Sequence, residues 1–73
     1  MPPVPVLTVS EVIRAFTKLG WTVQRQRGSH IIMTREGSIT TLSIPNHREV
    51  ARGTLRSLIA KAGITVDEFT AQL

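Results

Sequence analysis

The segment HIIMTREGSITTLSI, from His30 to Ile44, decides the fold of this chain. Two runs rich in apolar and β-branched residues, His30–Thr34 and Ile39–Ile44, flank the polar sequence Arg35-Glu36-Gly37-Ser38. Such runs joined by a short turn that contains glycine are typical of a β-hairpin. The segment therefore predicts two antiparallel strands.

The residues before this hairpin predict a third strand. Trp21 to Gln26 alternates large or apolar side chains with polar ones, and Pro45 ends the last apolar run. We therefore expect a three-stranded antiparallel meander. Because Ile31, Ile32 and Met33 are consecutive, the pattern does not tell which face of the middle strand packs on the core.

Helical signals stand on both sides of the strands. Thr8 and Glu11 have the spacing of a capping box, and apolar residues at helical spacing predict a first helix over 9–19, before Gly20. Thr54 is the expected N-cap of a second helix that ends at Gly63. A third cap, at Thr65, predicts a short terminal helix that packs Val66, Phe69 and Leu73 on the body.

The predicted order is thus α-β-β-β-α with a short C-terminal helix, an α+β fold with both main helices on one sheet face. The 73 residues form one domain, 1–73, in which 1–7 is an extended N-terminal segment. The start lacks a signal-peptide pattern and no run is long enough to cross a membrane, so we expect a cytoplasmic protein.

Charge indicates an anionic partner. Nine Lys and Arg residues oppose five Asp and Glu residues, for a net charge of +4 at pH 7. Most of the cations are arginines, which bind phosphate in a bidentate manner. RNA or another nucleic acid is the first candidate and an acidic protein the second; a merely soluble basic surface is the alternative.

Metal or cofactor chemistry finds no motif here. The chain has no cysteine, and its two histidines, His30 and His47, have no ligand spacing to each other or to paired acids. No glycine-rich loop has phosphate-cradle spacing. We therefore expect neither a metal nor a cofactor.

His30 is the residue best suited to acid-base chemistry. It follows Gly28-Ser29, where backbone can approach a ligand closely, and it lies near Arg25, Arg27 and Arg35 in sequence. RNA carries its own nucleophile, so a histidine and arginines do much of what cleavage requires. The alternative is a strand-end histidine bonded to backbone, and spacing alone favours that alternative.

The other candidates are positional. His47 is a second acid-base group, a hydrogen-bond donor to phosphate or simply a solvated loop residue. Arg48, Arg52 and Arg56 either extend a phosphate track toward the second helix or form a solvated face. Trp21 either stacks a base or, as its place after Gly20 favours, fills an edge of the core.

Several segments together resemble the HicA toxin family. They run in order and with compatible spacing from residue 9 to residue 69: Leu19-Gly20-Trp21, Arg27-Gly28-Ser29-His30, Ile44-Pro45-Asn46-His47, Arg52-Gly53-Thr54-Leu55-Arg56-Ser57-Leu58, Ala62-Gly63-Ile64 and Glu68-Phe69. This resemblance implies a double-stranded-RNA-binding-domain-like fold. It also implies an mRNA interferase of a type II toxin–antitoxin system, neutralised by a HicB antitoxin that covers the active site.

The resemblance places the family's catalytic histidine at His30, which reverses the preference from spacing. Many relatives have a second histidine directly after it, where this chain has Ile31. The expected RNA-contacting residues are Arg25, Arg27, Gly28, Ser29, Arg35, His47, Arg48 and Arg52. A non-catalytic RNA-binding module of the same fold, and a basic domain that docks an acidic protein, stay open as alternatives.

Overall fold

The structure is a computed structural model that describes residues 3–73. Its helices and strands follow one another along the chain as β1 (Leu7–Thr8), α1 (Val9–Lys18), β2 (Trp21–Arg27), β3 (His30–Arg35), β4 (Thr41–Pro45), β5 (Glu49–Val50), α2 (Arg52–Lys61) and α3 (Val66–Thr70). The expected α+β order is confirmed. Two short strands, β1 and β5, are additions to it.

Strands β2, β3 and β4 form the antiparallel meander, with β3 in the middle. The β3–β4 turn is closed by the Ser38 amide, which donates to the Arg35 carbonyl at 3.1 Å, and Gly37 has the positive φ of 83° that this turn requires. The predicted hairpin placed the start of its second strand at Ile39, and this start is wrong. Ile39 is fully exposed and β4 begins at Thr41, because the Ser38 hydroxyl accepts a bond from the Thr40 amide and extends the turn.

A β-bulge at Gln24 changes the phase of β2. Val23 pairs with Met33 but Arg25 pairs with Ile32, so one extra residue stands on β2. Residues directly opposite in a sheet point to the same face. Continuous alternation from Trp21 would direct Arg25 to the face that carries Trp21, and the bulge directs it to the opposite face.

Both main helices pack on one face of the meander, as expected. That face contributes Trp21, Met33, Leu42 and Ile44 to the core, and the other core residues come from the helices, the short strands and Val4. Phe16 of α1 is central, with its ring 5.0 Å from Phe69 and in edge contact with Trp21 at 6.3 Å. Trp21 is only 2% exposed, which confirms its role in the core.

The helix ends follow local chemistry at two of three sites. The capping boxes of Thr8 with Glu11 and of Thr65 with Glu68 are both complete. The expected Thr54 cap is wrong, because the Leu55 amide already donates to the Ala51 carbonyl at 2.9 Å, so α2 begins at Arg52 without a side-chain cap. Leu73, expected on the body, is also 55% exposed.

The N-terminal segment is part of the fold. Residues 1–2 of the predicted extended segment 1–7 lie outside the described residues; in the rest, Val4 is buried and Leu7 starts β1. Strand β1 pairs with β5, with Thr8 opposite Glu49. The Arg52 Nε donates to the Val4 carbonyl at 3.0 Å, which ties the segment to the start of α2.

Candidate active site

His30 stands at one end of the sheet, in a row that crosses all three strands of the meander. Arg27 of β2 and Pro45 of β4 are its partners in register, one on each side. Opposite residues have Cβ atoms about 5 Å apart and share a face. The structure therefore brings an arginine side chain directly beside the imidazole, on the sheet face away from the helices.

The His30 side chain is exposed and makes no hydrogen bond within residues 3–73. The strand-end alternative required its ring nitrogens to bond to backbone, and no such bond is formed. Arg27 and Arg25 are likewise exposed, and neither forms an ion pair with a described residue. Both kinds of group are therefore available to a ligand.

The backbone around His30 is held by two hydrogen bonds. The Asn46 amide donates to the Ser29 carbonyl at 2.7 Å, and the Gln26 Nε2 donates to the Gly28 carbonyl at 3.2 Å. Gly28 has a φ of 59°, in the left-handed region, and a Cβ there would meet no atom within 4 Å. The β2–β3 turn is thus tight, open on its outer side and joined to the loop after β4.

His47 and Arg48 form a two-residue exposed loop next to this turn. The loop is anchored before His47 by the Asn46 bond and after Arg48 by the pairing of Glu49 with Thr8. Two anchors this close restrict the loop to the His30 end of the sheet. The predicted RNA contacts at His47 and Arg48 are therefore placed in the same region as His30.

Arg25 joins the site through the bulge. It lies on the same face as His30, on the diagonal from it, at a Cβ separation of about 7 Å. Without the extra residue at Gln24, it would point toward the core side of the sheet. The grouping of Arg25, Arg27 and His30 is therefore a product of strand register.

Arg35 and Arg52 are placed differently. Arg35 ends β3, five residues and roughly 16 Å from His30, and it pairs with Trp21 on the core side. Its Nε is 3.4 Å from the position of a Cβ on Gly20. Arg52 is already bonded through Nε to the Val4 carbonyl. The structure does not bring Arg35 into the His30 group.

A comparison with protein families identifies the family of this chain. Residues 9–64 match the model of the family described as the HicA toxin of bacterial toxin–antitoxin systems. The match covers most of the chain. This chain belongs to the HicA toxin family. It is therefore the toxin of a toxin–antitoxin system, and its partner is an antitoxin. A search of curated proteins finds no match.

The HicA match includes every predicted site residue and excludes two structural parts. Those parts are the N-terminal segment with β1, and helix α3, whose Phe69 is fully buried. No helix within residues 3–73 has the length and apolar character to cross a membrane. Nor do the described residues include a group of three or more potential metal ligands.

Sequence reasoning missed two polar residues near His30 in the candidate site. Asn46 fixes the turn through its backbone, and Ser43 of β4 shares the face of His30 on its second diagonal. The alternation of Ser43 with Leu42 and Ile44 was a signal that Ser43 faces away from the core. No sequence signal indicated Asn46, because the hydrogen bond of its backbone amide does not depend on the type of its side chain.

Proposed function

We propose that this HicA toxin is a metal-independent endoribonuclease that cleaves mRNA and uses His30 for proton transfer. One observation carries the proposal: the imidazole of His30 is exposed and unbonded directly opposite the Arg27 guanidinium. Proton transfer to and from a phosphodiester requires an acid-base side chain, and a permanently charged cation beside it assists. RNA contacts by Gly28, Ser29, Arg25, His47, Arg48 and Arg52 complete the proposed site.

The proposed reaction uses the nucleophile that RNA itself carries. The 2′-hydroxyl loses its proton and attacks the adjacent phosphorus, the bond from phosphorus to the 5′-oxygen breaks, and that oxygen gains a proton. His30 performs one of the two proton transfers, and Arg27 stabilises the negative charge that develops on the phosphoryl oxygens. The products are a 2′,3′-cyclic phosphate and a 5′-hydroxyl.

The antitoxin partner is proposed to be HicB-like and to cover the His30 end of the sheet in a hetero-oligomeric complex. Exposed Arg25, Arg27 and Arg48 surround His30 with positive charge. A partner that presents acidic or polar groups there would neutralise this charge and exclude RNA. An antitoxin complex that left His30 fully accessible would contradict this assignment.

The test is a comparison of the parent protein with His30→Ala and His30→Gln. Both changes remove the imidazole, and we expect the cleavage rate to fall by about 100-fold or more. Growth arrest on expression should disappear as well. RNA affinity and melting temperature should change little, because an exposed side chain without internal bonds contributes little to stability.

The main alternative is a non-catalytic RNA-binding module of the same fold. In that case His30→Ala would weaken RNA binding while any toxicity fell only in proportion. Undiminished cleavage by a well-folded His30→Ala protein would refute the catalytic role. Arg14→Ala, a change at an exposed arginine on α1, provides the control for nonspecific loss of charge.

Independence from metal has its own measurement. The proposed chemistry takes the nucleophile from RNA and the charge stabilisation from arginine, so cleavage should continue in EDTA. Mass spectrometry of the products should show the cyclic phosphate. Loss of activity in EDTA with recovery on addition of magnesium would contradict the mechanism.

A further inference from the structure

We call the sheet face away from the helices the open face. Most of its side chains are polar. Cross-strand pairing arranges it in three rows, with one residue from each strand of the meander in each row. The rows are Arg27, His30 and Pro45; Arg25, Ile32 and Ser43; and Thr22, Thr34 and Thr41.

The three rows offer different groups at regular spacing. Along β3 and β4 the rows are two residues apart, which is about 6.7 Å, and the face is about 10 Å wide. The first row holds the proposed proton-transfer group, and the second adds the Arg25 cation and the Ser43 hydroxyl. The third row consists of three hydroxyls, none of which is hydrogen-bonded within residues 3–73.

The open face carries no Trp, Phe or Tyr side chain on which a base could stack. The sequence has one Trp, two Phe and no Tyr, and all three aromatic side chains are buried on the other side of the sheet. The one large apolar residue of the open face, Ile32, is only 8% exposed. Stacking on Trp, Phe or Tyr is the common way to bind bases of single-stranded RNA, and for such contacts this face offers only His30 and its arginines.

We propose that the open face is a track for the sugar-phosphate backbone of single-stranded RNA, running from the His30 row past Arg25 to the threonine row. Arg25 binds a phosphate, and the Ser43 and threonine hydroxyls bond to ribose 2′-hydroxyls. Bases are not read by this face. The inference rests on the proposed function, because it follows the strand whose scissile phosphate lies at His30.

The chemistry of cleavage favours a single strand on this track. Attack by a 2′-hydroxyl requires its oxygen to align with the leaving 5′-oxygen, and a paired A-form strand is held out of that alignment. The hydroxyl rows also fit RNA better than DNA, since only RNA has a sugar hydroxyl for them to bind.

The experiment measures RNA binding in the His30→Ala protein, so that cleavage does not interfere. Fluorescence anisotropy with labelled oligo(U) and oligo(A) RNA, the matching DNA and a duplex RNA is recorded over a range of salt concentrations. We expect Arg25→Ala to weaken RNA binding about 5-fold and to reduce the salt slope by about 0.7, the value for one phosphate contact on a single strand.

The threonine row is tested with the combined changes Thr22→Val, Thr34→Val and Thr41→Val, which keep the β-branched shape and remove the hydroxyls. RNA binding should weaken about 5-fold or more, and DNA binding should change less than 2-fold. Thr17→Val on α1 and Arg14→Ala are the matched controls off the open face. Oligo(U) and oligo(A) should bind within about 3-fold of each other.

The outcomes separate the track from the function on which it rests. A His30→Ala protein that binds no RNA would contradict the proposed function and the track together. Normal RNA binding by the Arg25 and threonine variants, with loss on Arg48→Ala, would place RNA along the loop before α2 and overturn the track alone. Strong base preference, or equal affinity for duplex RNA, would also overturn it.

Discussion

The two ends of strand β3 differ although both carry a basic residue next to a glycine-containing turn. At one end, His30 lies beside Arg27 on the open face, and neither side chain is bonded to the described protein. At the other end, Arg35 pairs with Trp21 on the core side and lies against Gly20. Both arginines are exposed, but Arg27 lies beside His30, whereas Arg35 lies on the opposite face at the far end of the strand.

This difference follows from register. An even number of residues separates positions that share a face, and His30 and Arg35 are an odd number apart on one strand. On β2, Arg27 is an even number of residues after Trp21 and would share its face in a regular strand. The bulge at Gln24 moves Arg27 to the face of His30. Positive charge in the sequence is therefore a poor guide to a binding site until strand pairing is known.

The largest difference between the two ends should appear in catalysis. Arg27→Ala removes the cation opposite His30, and we expect the cleavage rate to fall by about 100-fold, the usual cost of one group that stabilises transition-state charge. Arg35→Ala should change the rate less than about 2-fold, because Arg35 is too distant from the scissile phosphate. Single-turnover cleavage of a labelled RNA measures both.

Arg27→Lys sharpens this test, because lysine keeps the charge and loses the bidentate geometry. We expect it to recover only part of the rate. Equal losses from Arg27→Ala and Arg35→Ala would show that general positive charge, rather than position in the row, supports cleavage.

The next largest difference concerns the glycines at the two ends. Gly28, at φ 59°, lies in the left-handed region that asparagine tolerates, whereas Gly20 has a φ of 97° and a Cβ there would stand 3.4 Å from the Arg35 Nε. We expect Gly28→Ala to lower the free energy of unfolding by about 1 kcal/mol and Gly20→Ala by about 2 kcal/mol or more.

Urea unfolding of the two alanine variants, with Gly28→Asn and Gly20→Asn beside them, checks this order. Asparagine should be nearly neutral at position 28 and costly at position 20. If asparagine cost the same at both positions, the backbone difference between the two turns would not hold.

A smaller effect is expected where the N-terminal segment supports the His30 end. Arg52→Ala removes the bond from Nε to the Val4 carbonyl and should lower the free energy of unfolding by about 1 kcal/mol. Arg48→Ala, at an exposed neighbour, should be neutral for stability. Thermal melting of both proteins makes the comparison.

RNA binding then distinguishes two roles of Arg52. If it also contacts a phosphate, Arg52→Ala should reduce the salt dependence of binding as well as stability. Reduced salt dependence with unchanged melting would contradict the bracing contact to Val4.

The smallest effect is expected outside the sheet, at the start of α1. Hydrogen bonds from the Thr8 amide and hydroxyl hold the pKa of Glu11 below its usual range. Because the folded state favours the charged form, this contribution to stability is present above pH of about 4.3 and is lost as pH falls through the lowered pKa of the folded protein.

Glu11→Gln should therefore make the melting temperature slightly less dependent on pH between about pH 5 and pH 3. Cleavage at neutral pH should be unchanged in the folded variant, since Glu11 lies on α1 and not in the row of Arg27, His30 and Pro45. An unchanged acid profile would show that the capping box contributes nothing through charge.

Most helix and strand positions could be predicted because their signals are local. Thr8 with Glu11 and Thr65 with Glu68 satisfy helix amides three residues away, so both caps follow from spacing alone. Thr54 has the same chemistry but is not a cap, because pairing of β5 with β1 and the bond from Arg52 to Val4 place the start of α2 earlier.

The candidate site was only partly predictable. The resemblance to HicA toxins identified His30, and spacing alone favoured a different role for it. Sequence proximity also grouped Arg35 with Arg25 and Arg27. In the structure, Arg35 lies roughly 16 Å from His30 along β3. Asn46 was not identified, since its contribution is a backbone bond to Ser29 across a gap in the sequence.

The sequence by itself determined the order of helices and strands, the two capping boxes, the basic character of the chain and its family. Each of these depends on residue type or on neighbours within a few positions. Only the tertiary structure decided that Arg25 and Arg27 share a face with His30, that Arg35 does not, and that the N-terminal segment braces α2. Strand register, a bulge and contacts between distant segments are set by packing of the whole core, and no local pattern of residues specifies them.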